Sequence, residues 1–285
     1  MLIGKLLKPT NDYVFKRIFG YVGNEDITKA LLMSILENIN IKNITLDCKE
    51  ILEQDLRTDK FGILDIRAII DESIQCNIEM QIVDRKDIEN RLLFYWSKLY
   101  AKTINLGEQY ITAQKTILIL FVDYEISALE QIHKYLSKWH ICEDEYKNVI
   151  LTKNLEIYII ELPKFKKFTN NTELSNWVKF IINPEVIKMS EINNNEALKK
   201  ANAVLQNISN DEREQELAFK RELYIMDQKA IEAAGFDKGV KQGIEQGKKE
   251  EQIKIAKKLL EQNIDINIIS KVTGLTTEEI ENLEK

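Results

Sequence analysis

Val14, Phe15, Ile18 and Phe19 recur at helical spacing in TNDYVFKRIF, and Thr10 or Asn11 can cap that helix. After a break at 20–24, Ile27, Leu31, Ile35 and Ile39 carry a second helical stripe through DITKALLMSILENI. The period then shortens to two. Ile44, Leu46 and Cys48 alternate with polar positions, and GILDIRAII and SIQCNIEMQIV read as two strands separated by the polar DES. A long helix is predicted over 87–106, followed by a continuously apolar strand in KTILILFVDY. Further on, LEIYIIEL at 155–162 reads as a strand, NTELSNWVKFII as a helix ended by Pro184, and 196–234 as helical. Helix, three strands, helix, strand predicts an α/β or α+β core with a mixed sheet, and the fold class expected is α/β with the sheet flanked by helices.

A domain boundary is expected near residue 190. Residues 1–190 would form the core domain, 191–234 a helical connector, and 235–285 a helical tail. In that tail Gly235, Gly239, Gly243 and Gly247 stand four apart. They form either a smooth helix stripe open to close approach by another helix, at a cost of roughly 1 kcal/mol per Gly against Ala, or a flexible linker. Three short helices are predicted after them. Ile253, Ala256, Leu259 and Leu260 line the first, Ile268, Ile269 and Val272 the second, Ile280 and Leu283 the third. Gly274 can end the second, and Thr276 or Thr277 can cap the third, with Glu278 and Glu279 in its first turn. The shape is helix-turn-helix-like, and its mixed charge suits subunit packing and DNA reading alike. About 35 residues are few for an independent core, so a homodimer through the tail is expected.

Composition removes several classes. The 285 residues hold no apolar run near the roughly 20 needed to span a bilayer, the longest being TILILFV, so no membrane role is expected. The first residues, MLIGKLLKPTNDY, lack an apolar signal region, and three scattered cysteines without a CxxC suit a reducing cytoplasm better than a disulfide framework or zinc site. The two histidines, His133 and His140, share a face if EQIHKYLSKWH is helical, and read as surface or packing residues. That leaves chemistry to carboxylates with a divalent cation. Lys+Arg of 40 against Asp+Glu of 46 gives −6, which is not the footprint of a protein coated for nucleic acid but leaves room for a local basic groove. GIEQGKK lacks the spacing of a phosphate-binding loop, so no nucleotide cofactor is assigned.

The strand pair around DES carries the sharpest signal. A turn at Asp71–Ser73 makes paired positions sum to 144 and sets Leu64 against Met80, Ile66 against Ile78, and Ala68 against Cys76 on one apolar face. The same register sets Asp65 opposite Glu79 on the other face, with Gln81 two residues along. Opposed Cβ atoms lie about 4.5–5.5 Å apart, so the two carboxylates repel unless a cation sits between them or one keeps its proton. The pair suits Mg²⁺, which takes oxygen ligands and keeps several waters. A solvated strand face on which two acids happen to oppose is the alternative.

LDIRA…IQCNIEMQI, preceded by KPTNDYVFKRIF and followed by RLLFYWSKLYAKTINLGEQY, resembles the PD-(D/E)XK nuclease family transposases, the Rpn recombination-promoting nucleases. The resemblance spans roughly residues 5–125, and the Gly-spaced tail is similar to the ends of many members. It implies a restriction-endonuclease-like core and a Mg²⁺-dependent DNA endonuclease in which Asp65 and Glu79 bind metal. Leu64 stands at the family's proline position and Gln81 at its lysine position, where a neutral amide can orient water or phosphate but supplies no cation. The resemblance places the first helix beside the site, so Asp12 is expected as an outer metal ligand and Lys16 as a phosphate contact, a surface ion pair being the alternative. Arg91 and Tyr95, with Lys98 and Lys102 along the same helix, are expected to contact substrate phosphates. PKFKKF at Pro163–Phe168 interleaves bases with aromatics, as stacking on nucleic acid would use, or is an ordinary loop. The family also implies a link to recombination, mobile elements or defence against foreign DNA. An inactive DNA- or partner-binding relative is the rival function, motivated by the missing lysine.

Overall fold

A computed structural model describes residues 6–47, 65–84, 86–167, 172–187, 190, 192 and 194–283. Six strands form one mixed sheet in the order β1-β2-β3-β4-β6-β5: Ile44–Asp47, Ile66–Ile70, Ile74–Gln81, Lys115–Val122, Leu155–Glu161 and, at the far edge, β5 at Leu136–Trp139. β1, β2 and β3 are antiparallel, β3, β4 and β6 run parallel, and β5 returns antiparallel to β6. The β2–β3 register is the one the apolar face demands: Ile66 pairs with Ile78, Ala68 with Cys76, and Ile70 with Ile74. Leu64 and Cys48 lie outside the described residues. The turn is tight, with Asp71 and Glu72 both at positive φ and Ser73 N–H donating to Ile70 O at 3.1 Å. Asp71 suits that conformation because its carboxylate accepts from the Asn43 and Lys42 amides at 2.7 and 3.1 Å.

Helices cover both faces. On one face Ile66, Ile78, Met80, Ile119 and Phe121 meet α1 (Asp12–Phe19), α2 (Glu25–Ile35), α5 (Glu173–Ile182) and α6 (Glu196–Asn210) in a single core. Asn11 caps α1 through Tyr13 N–H, and Phe15 and Phe19 reach Phe121 and Trp177. Gly20 allows the close approach of α1 to the sheet: a Cβ there would meet Ile66 Cγ1 at 2.8 Å. On the other face α3 (Ile88–Ala101) lays Ile88, Leu92 and Tyr95 over Leu118, Leu120 and Ile159.

Several expectations need correction. α2 ends at Ile35 and α3 at Ala101, short of Ile39 and Leu106. The histidine segment is not a helix but contains edge strand β5, and His140 Nε2 lies 3.5 Å from Glu156. PKFKKF begins in α4 (Leu162–Phe165), where the buried Lys164 binds Glu161 at 2.7 Å and the Leu129 and Ile132 carbonyls. That lysine is a structural strap and not a phosphate contact. The chain divides into compact units at Met1–Met226 and Asp227–Lys285, and not near 190, because α6 buries Leu198, Ala201, Leu205 and Ile208 in the first unit's core. Helical sequence from 196 breaks at Asp211 and resumes as α7 (Glu212–Glu261).

The second unit has its own small core of Ala256, Ile269, Leu275 and Ile280, built by the end of α7 with α8 (Ile266–Thr273) and α9 (Thr277–Glu281). The first of the three expected short helices is thus the end of a longer one, and Ile268 and Val272 are exposed instead of buried. Gly274 ends α8 in the left-handed conformation, and Thr276 and Glu279 form a capping box on α9. The four spaced glycines are helical, with open space where their Cβ atoms would be.

Candidate functional site

β2 and β3 bring Asp65, Glu79 and Gln81 to one face of the sheet, and α3 buries that face. Asp65, Glu79 and Gln81 are 8%, 4% and 9% exposed, so the pair does not belong to a solvated strand surface. Asp65 immediately precedes β2, one residue beyond the last observed pair, Ile66 with Ile78, and is near enough to Glu79 to feel its charge. Its Oδ2 is buried without a hydrogen bond. Burial first, and then the Glu79 charge, push the Asp65 carboxyl from its ordinary 3.8 up to about 8, against a smaller downward pull from Arg91 and Arg67. The shift favours the neutral form of Asp65, which relieves repulsion between two neighbouring carboxylates.

Arg91 supplies the local cation. Its Nη2 donates to Glu79 Oε1 at 2.8 Å, and its guanidinium lies 4.6 Å from the centre of the Tyr95 ring one turn on. Arg91 and Tyr95 thus sit at the site as a linked pair. Gln81 donates through Nε2 to the Val83 carbonyl at 3.2 Å, which fixes the amide and leaves Oε1 as its remaining acceptor.

The first helix does something else. Asp12 is buried, and both its carboxylate oxygens accept from Arg221 of α7, at 2.9 and 3.1 Å from Nε and 2.6 Å from Nη2. This bidentate pair replaces the metal-ligand role expected of Asp12. Nearby, Glu214 accepts from Tyr13 at 2.7 Å and Arg17 at 2.9 Å, so the start of α7 is fastened to α1 by two polar clusters. Lys16 is also buried, its stem packed with Ile66 around Gly20 at the start of β2.

Sequence reasoning missed Asn77, Arg67 and Arg221. Asn77 is 1% exposed on the same strand face as Glu79, and its side chain favours the charged form of Asp65. The period-two pattern marks Asn77 and Arg67 as neighbours of the acids. Nothing in the sequence marks Arg221, which lies 209 residues from its partner.

The donor set suits a hard divalent cation: two opposed carboxylates, one with a buried unbonded oxygen, and an amide oxygen two residues away. Among the described residues no three His, Cys, Asp or Glu side chains gather as a closed cage, so water and substrate oxygens would complete the coordination. A mixed sheet between helical layers, with paired acids where β2 and β3 lie side by side, defines a PD-(D/E)XK nuclease-like protein. The model of the PD-(D/E)XK nuclease family transposases matches residues 9–234, and the chain belongs to that family. Residues 249–285 match the C-terminal HTH domain of the Rpn/YhgA-like nuclease family, in agreement with the helix-turn-helix-like unit. No curated protein and no solved structure matches the chain.

Proposed function

We propose that the chain is a metal-dependent DNA endonuclease. The observation that carries this reading is the buried Asp65–Glu79 pair with its unbonded carboxylate oxygen. Asp65 and Glu79 would hold Mg²⁺ or a similar ion, which when bound lowers the pKa of its water and offsets charge on the phosphodiester. To serve as a charged ligand Asp65 would give up the proton that its burial favours. Arg91 holds Glu79 in place and supplies the positive charge that Gln81, at the lysine position, lacks. Gln81 Oε1 accepts from the attacking water, its amide being anchored through Val83. Tyr95 supports the guanidinium from one side.

We assign the second unit to DNA binding, and the exposed apolar residues Ile231, Phe236, Val240 and Ile244 of α7 to pairing with a second copy. The family points to work on DNA in recombination, mobile elements or defence, in the cytoplasm. Gln81 favours a second reading, a weak or inactive relative that binds DNA through the same fold. Incubating the full-length protein with supercoiled plasmid in Mg²⁺, Mn²⁺ and EDTA separates the two. Nicked or linear product with either metal and none in EDTA supports the nuclease, and intact plasmid throughout supports the inactive relative.

A further inference from the structure

The face that carries Asp65 and Glu79 continues past them. Along β2 the same side presents Asp65, Arg67 and Ile69, and along β3 Glu79, Asn77 and Gln75, in matched rows. At its far end the face opens into a pocket of about 370 Å³ against the end of α3, lined by Arg67, Ile69, Gln75, Leu99, Lys102 and Gln114. Rows two residues apart are spaced roughly 6.7 Å along a strand, a step comparable to that between successive phosphates of an extended nucleic-acid chain. Arg67 belongs to both places: it lines the pocket, and it is near enough to Asp65 for its charge to be felt there.

The lining chemistry is that of an anion with an apolar attachment. Among the described lining residues, Arg67 and Lys102 are cations and Asp47 is a carboxylate. Asp47 is 58% exposed and lies 4.0 Å from Arg67, a pair worth little in water. Gln75 and Gln114 form a polar edge, joined through Gln75 Nε2 and Gln114 Oε1 at 2.8 Å. Ile69 and Leu99 give the pocket an apolar side. Between pocket and acids lies the buried Asn77, whose side chain interacts with Asp65.

We propose that this pocket is a phosphate subsite for a nucleotide flanking the cleaved one, in which Arg67 and Lys102 grip the backbone of the strand whose scissile phosphate lies at Asp65 and Glu79. The subsite rests on the nuclease reading for its place on the strand, and its binding is measured without cleavage. A short fluorescent single-stranded oligonucleotide, titrated with full-length protein in EDTA, isolates it, because helix-turn-helix units dock on duplex major grooves. Arg67→Gln and Lys102→Gln should each raise the Kd by about tenfold and lower the salt dependence by about one ion. Lys147→Gln, at an exposed lysine that does not line the pocket, should change neither. Lys102 is exposed just past the end of α3, so its variant carries the test even where Arg67→Gln perturbs folding. Wild-type affinity and salt slope in Lys102→Gln, or no binding by the wild type, would overturn the subsite. Binding that depends on both residues in a protein that never cuts plasmid would support the subsite and reject the nuclease reading alone.

Discussion

Arg91 Nη2 stands 2.8 Å from Glu79 Oε1, a helix reaching down to a strand to neutralise one of two opposed acids. Both side chains are largely buried, at 14% and 5% exposure, so the contact is a desolvated pair with consequences on both sides. Arg91 offsets charge on the Glu79 carboxylate, and the raised Asp65 carboxyl eases the remaining repulsion.

Removing that guanidinium should cost activity more than fold. Arg91→Ala removes a 2.8 Å ion pair from Glu79 and a cation from the site, and plasmid nicking in Mg²⁺ should slow about 100-fold, the scale of losing one charge-stabilising donor. Arg91→Lys should recover part of the rate. A nicking rate within a factor of about two of wild type in Arg91→Ala would remove Arg91 from the account.

The raised Asp65 carboxyl makes stability depend on pH. The folded chain holds that proton more tightly than the unfolded one, so the group costs stability above the unfolded value of 3.8, increasingly as pH approaches about 8. Asp65→Asn removes the ionisable group. In EDTA its Tm should exceed that of the wild type at pH 8 and nearly match it at pH 4. Thermal melts of both proteins at the two pH values check this, and an equal Tm at pH 8 would mean Asp65 carries no such strain.

The Asp12–Arg221 pair should matter for stability. Arg221→Ala leaves a buried carboxylate unpaired and should cost about 3–5 kcal/mol in urea unfolding. The double variant Asp12→Leu with Arg221→Met should be more stable than either single variant, because no uncompensated charge remains. Two independent, additive losses would show that the pair is not coupled.

The tail should govern assembly. Truncation after Ala234 removes Phe236, Val240, Ile244 and the whole second core. Light scattering should then give a monomer where the full chain gives a dimer, and the truncated protein should nick plasmid without linearising it. A full-length monomer would dispose of this role.

Much of the core was legible because burial enforces it. The alternation of Ile66, Ala68 and Ile70 with Cys76 and Ile78 permits one register only, and that register sets Asp65 against Glu79. What lies over a face is not written in its own period: the acids looked solvent-facing until α3 covered them. The boundary near 190 misled because polar residues around 193–195 resemble a linker, although Leu198, Ala201, Leu205 and Ile208 already spelled a buried helix stripe. β5 was missed because a four-residue edge strand, Leu136–Trp139, carries too little alternation to outweigh two histidines seven apart. Asp12 looked like a metal ligand while its partner lay 209 residues away.

The central claim is that Asp65 and Glu79 together hold a divalent cation. Calorimetric titration of Mn²⁺ into the metal-stripped full-length protein at pH 7, in two buffers of different ionisation heat, measures it directly. The account predicts binding with proton release from Asp65, abolished in both Asp65→Asn and Glu79→Gln while their melting curves stay cooperative. Undiminished Mn²⁺ affinity in both folded variants would contradict it.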